Sequence, residues 1–170
     1  MTNFSNVHLR AEHVEPLRLF LTEGAVGPES FDEPTVESDI IALNLMAYSA
    51  FAVAVLRRFS PTFTIPEIIR YVTELRKAVL GEETLQINPR VAEGMIRAVL
   101  RDKTLEDREP YGADNEAMVK ACFAVLLDLF HKAELEGPDL EKFLQESADY
   151  AGRWLAGQQA RQGDEQVATG

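Results

Sequence analysis

Hydrophobic positions along this chain recur at helical spacing, and no stretch alternates convincingly at the period of two that a half-buried strand requires. The strongest signal is the uncharged run Ile40 to Leu56, IIALNLMAYSAFAVAVL, preceded by Glu37 and Asp39 and followed by Arg57 and Arg58. Its apolar residues do not keep to one stripe, so it predicts a helix enclosed by protein or by lipid rather than a surface helix. At 17 residues the run sits at the lower edge of what spans a bilayer, and Asn44, Tyr48 and Ser49 would lie at depth. Ala47, Ala50 and Ala54 instead make a small-residue row that lets a neighbouring helix approach, with Leu43, Met46, Phe51 and Val53 as bulk around it. The pattern therefore favours the central helix of a bundle over a membrane span.

Start and stop signals set the other elements. A short leader helix over 14–24 includes Pro16 and ends at Gly24. The Gly-, Pro- and acid-rich stretch from Gly24 to Pro34 reads as a loop, and Thr35 caps the central helix, which covers 35–59. Thr64 and Glu67 form a capping box for a helix over 64–81 that turns Ile68, Ile69, Val72, Leu75, Val79 and Leu80 largely to one face and Arg70, Glu74 and Lys77 to the other. Asn88 and Pro89 open a helix over 88–101 carrying Val91, Met95, Ile96, Val99 and Leu100 inward. The polar, broken segment from Asp102 to Asp114 reads as a connection. Beyond it, helices over 114–137 and 138–157, joined by a short turn at Gly137, predict an antiparallel hairpin. Residues 158–170 have little apolar content and read as a disordered tail. The fold class is all-α: one helical domain over 1–157, a bundle of five to six helices around a buried central helix.

Composition fits a globular domain, with 46% hydrophobic and 26% charged residues. One cysteine makes no internal disulfide, and the opening residues lack the layout of a secretory signal, so cytoplasmic residence is the expectation. The net charge of −11 is uneven. Arg57 to Lys103 holds nine basic and six acidic residues, +3, while the rest of the chain holds eight and 22, or −14.

Catalytic signatures are absent: no nucleophile elbow, phosphate-cradling glycine loop, HExxH or CxxC occurs. His131 has Asp128 three residues before it and Glu134 three after, but a di-metal bundle site needs matched motifs on separate helices. Cys122, among Met118, Phe123 and Leu126, reads as a buried thiol. No catalytic residue, cofactor or metal ligand is assigned. The reading is a non-enzymatic cytoplasmic interaction or regulatory module whose partner is another protein or a second copy, as a homodimer, with Arg90, Arg97, Arg101, Tyr150 and Trp154 as its interaction face. One alternative is a small-ligand site between helices, oriented by Asn44, Tyr48, Arg70 and Tyr71. Another is a DNA-associated regulator using the 64–101 pair. The gap of about eight residues between those helices exceeds a helix-turn-helix turn, and the interspersed glutamates cancel much of the field that nucleic acid needs.

Overall fold

We describe the fold from a computed structural model, which covers residues 3–24, 36–81, 86–101 and 115–168. Thr35 as a cap and the connections at 25–34 and 102–114 lie outside the described residues. Among the described residues every regular element is helical: a 3-10 turn at Ala11–His13, then α1 (Val14–Glu23), α2 (Glu37–Phe59), α3 (Ile65–Ala78), α4 (Pro89–Val99), α5 (Asn115–Ala133) and α6 (Gly137–Ala168). The all-α class stands. Contacts divide the chain into two compact units, Met1–Ala50 with Glu136–Gly170, and Phe51–Leu135. The fifth and sixth helices, predicted as a hairpin, belong to different units.

Charge follows this division. The first unit has five basic and fifteen acidic side chains, −10, whereas the second has twelve and thirteen, −1.

α2 behaves as its composition requires. All seven residues from Ser49 to Val55 are buried, which no one-sided surface helix could achieve. Met46, Phe51 and Val55 are 1%, 0% and 0% exposed. The buried hydroxyl of Ser49 donates to the Leu45 carbonyl at 2.7 Å, so it adds no unsatisfied group. Earlier in the helix, Ile40 and Asn44 are exposed. By length and composition alone α2 could cross a membrane, but 61% of its most apolar window is already buried in protein. A soluble core helix has that property.

In the first unit, α1 packs on α6, and Arg18 grips the Glu141 carboxylate through both terminal nitrogens while its Nε reaches Glu15 at 3.0 Å. In the second unit, α3 packs on α4 and α4 on α5. Of the predicted capping box only the Thr64 half is made: its hydroxyl accepts from the Glu67 N–H at 3.3 Å, while the Glu67 carboxylate turns to Arg58 at 3.3 Å. The Asn88 cap is made, with Oδ1 accepting from the N–H groups of Arg90 and Val91 at 3.0 and 3.4 Å.

One boundary departs from the sequence reading. α6 does not stop at Gly157 but continues to Ala168, so most of the stretch expected to be disordered is helical. Its extension is engaged by a segment far away in the chain: Gln159 donates to the carbonyls of Phe4 and Val7, and Gln162 accepts from the Phe4 N–H. Those contacts replace the apolar stripe that the extension lacks, and nothing in local composition announces them.

Candidate functional site

The outer flank of α3 combines exposed apolar side chains with arginines that lie outside any ion pair among the described residues. Ile68, Tyr71, Val72 and Leu75 take the inward face. Helical spacing then puts Ile65, Ile69, Thr73 and Arg76 along one outer row, which Leu80 extends just past the helix. Ile65, Ile69 and Leu80 are 38%, 45% and 67% exposed. Ile69 and Leu80 thus do not join the inward face expected of them: position 69 is turned away from Ile68 by one helical step, and Leu80 lies past the end of α3 at Ala78. Single exposed apolar residues are ordinary, but three on one row are a patch. Arg70 and Arg76 are exposed and make no ion pair among the described residues, whereas Lys77 pairs with Glu74 at 3.3 Å and Arg58 with Glu67 at 3.3 Å.

Beneath this row α3 is fixed to α5. The Tyr71 hydroxyl donates to Asp128 Oδ2 at 2.8 Å, and Lys132 Nζ reaches the same oxygen at 2.8 Å. Lys132 also lies 5.2 Å over the Tyr71 ring, and Phe59 meets that ring edge-on at 5.5 Å. Burial, reinforced by the Asp128 carboxylate, holds the Tyr71 phenol well above its ordinary value of 10. The group is held as a neutral donor, and it ties α3 to α5 beneath the row.

The ligand-orienting residues expected from the sequence do not converge within either unit. Asn44, exposed, and Tyr48, half-buried, belong to the first unit; Arg70, exposed, and Tyr71, with its hydroxyl committed to Asp128, belong to the second. The proposed interaction face is likewise divided. Arg90 and Arg101 are exposed and Arg97 half-buried on the second unit, while Tyr150 and Trp154 are half-buried on the first. Trp154 is met edge-on by Phe4, with ring centroids 5.3 Å apart, so part of its surface is already covered by its own chain.

His131 does not share its carboxylates. Its Nδ1 lies 2.7 Å from the Leu127 carbonyl, and Asp128 serves Tyr71 and Lys132. Among the described residues no three histidine, cysteine or acidic side chains gather as metal ligands. Cys122 is buried, and desolvation pushes its thiol up to about 12.

A cluster that spacing did not reveal is centred on His13, which is 3% exposed. Its Nδ1 accepts from the Arg10 N–H at 3.0 Å, so Nε2 carries the proton and faces Asp39 Oδ1 at 3.2 Å. Arg10 Nη2 reaches the same oxygen at 2.6 Å. Hydrogen bonding from His13, with help from Arg10, holds the Asp39 carboxyl below the usual carboxylate range. Both ring nitrogens are used within the protein, which fits a clasp between the leading segment and α2 rather than a proton shuttle. The only sequence hint was the acidic residue in the first turn of α2.

No protein-family model, no curated protein and no solved structure matches this chain.

Proposed function

We propose that this chain is a non-enzymatic, cytoplasmic helical interaction module that binds a protein partner through the outer row of α3, with a second copy of itself as the first partner to test. The observation that carries the reading is the row itself: Ile65, Ile69 and Leu80 lie open to solvent, with Arg76 among them outside any ion pair of the described residues. Burying such a row gains roughly 25 cal/mol per Å² of apolar surface, and arginine is the cation that interfaces accept most readily. An enzyme reading has no comparable support, because the titratable groups that cluster are consumed by structural hydrogen bonds.

Sedimentation analysis over a concentration series tests the self-associating form. The wild-type chain is expected to dimerise in roughly the micromolar range. Ile69→Asp is expected to shift it to monomer while its helix content is kept, because position 69 is exposed. A chain that stays monomeric to about a hundred times that concentration counts against self-association. An Ile69→Asp protein that dimerises as well as wild type removes the α3 row from the interface.

A further inference from the structure

The contact between α6 and residues 3–7 has the form of peptide recognition. Within four residues the segment makes its own turn: Val7 N–H donates to the Phe4 carbonyl at 3.1 Å, and Ser5 N–H donates to Asn3 Oδ1 at 2.9 Å. α6 then reads its main chain. Gln159 Nε2 donates to the carbonyls of Phe4 and Val7 at 2.9 and 3.1 Å, and Gln162 Oε1 accepts from the Phe4 N–H at 3.1 Å. None of the three hydrogen bonds to α6 depends on a side chain of the segment.

Side-chain selection is confined to two anchors. Phe4 stands edge-on to Trp154, at an interplanar angle of 83°, and Val7 is 1% exposed. Asn3, Ser5, Asn6 and His8 are all exposed. A backbone held by hydrogen bonds, with specificity given by a few pockets, is the way domains bind short peptides in trans.

We infer that Trp154, Gln159 and Gln162 form a peptide-binding face, occupied in cis by residues 3–7, that accepts from a partner protein a short turn-forming peptide with an aromatic residue and an aliphatic residue three positions later. The first unit's charge of −10 selects against acidic ligands, so the peptide is neutral or basic. The cis segment acts as a plug: its tether gives it an effective concentration on the order of millimolar, which a partner must overcome. This inference stands apart from the α3 row, which lies on the other unit.

Trp154 is the chain's only tryptophan, so its emission reports on the face directly. The probe is a fluorescent synthetic peptide of residues 3–10, with a scrambled peptide as control, titrated into full-length proteins. Phe4→Ala/Val7→Ala, which weakens the plug and changes no residue of α6, is expected to bind the peptide in roughly the micromolar range, re-forming the contacts that hold the α6 extension, and to change its Trp154 emission. Wild type is expected to bind at least about tenfold more weakly, because its own segment competes. Adding Gln159→Leu/Gln162→Leu to the double variant is expected to weaken binding by at least about tenfold, since three main-chain hydrogen bonds are lost. A double variant that keeps its helix content yet prefers the probe no more than the scrambled peptide overturns the inference. So does a quadruple variant that binds as well as the double one. Should the double substitution unfold the chain, Phe4→Ala alone, which keeps Val7 in its buried place, is held to the same two comparisons.

Discussion

Tyr71 and His13 show how a side chain with chemical potential can be turned into a structural one. Each is buried, and each has its N–H or O–H committed to a carboxylate, so neither has a proton left to donate to a substrate. Asp39 carries the pH consequence. Its folded pKa is lowered, so its contribution to stability is present above the unfolded value of about 4 and is lost as pH falls through the folded one. Asp39→Asn is expected to lower the urea midpoint at pH 7, with the gap to wild type closing below about pH 4. A gap that is constant across this range would mean that the ionised carboxylate does not hold the clasp. Spacing could not have shown this cluster, because Arg10 and His13 meet Asp39 only through the folding of intervening chain.

At the scale of elements, local chemistry carried most of the information. Thr64 and Asn88 cap α3 and α4 as their side chains require, and Pro66 and Pro89 sit in first turns where a missing N–H costs nothing. Asn88→Ala is expected to cost about 1 kcal/mol in chemical denaturation, because two N–H groups of α4 lose their acceptor. Retention of full stability would show that water replaces the cap. α2 was legible for a different reason: a run without charges and without a polar face can be accommodated only by burial. The end of α6 was not legible. Its last turns are held by Gln159 and Gln162 against residues more than 150 positions away, and a polar helix with a remote partner looks, in sequence, like a tail. The candidate surfaces were legible only in part. Arg70 and Trp154 stood out by type, but Ile69 and Leu80 read as members of the inward face of α3, and their exposure reverses that reading.

For the whole molecule the main feature is the uneven division of charge, −10 on one unit and −1 on the other. Polyanions meet a repulsive first unit, so long-range attraction to nucleic acid is confined to the second, where the basic and acidic groups nearly cancel. The two faces proposed for binding lie on different units, and each can be removed by substitution without touching the other. The sealed thiol on α5 makes the integrity of the second unit measurable. Cys122 is the chain's single cysteine, buried and held as a thiol, so a disulfide reagent reaches it only when α5 is transiently released. Its modification is expected to run orders of magnitude slower than that of an exposed cysteine and to quicken with sub-denaturing urea, whereas modification at the exposed-cysteine rate would show that α5 is open. One sulfur atom thus serves as a stopwatch for how often this part of the protein comes undone.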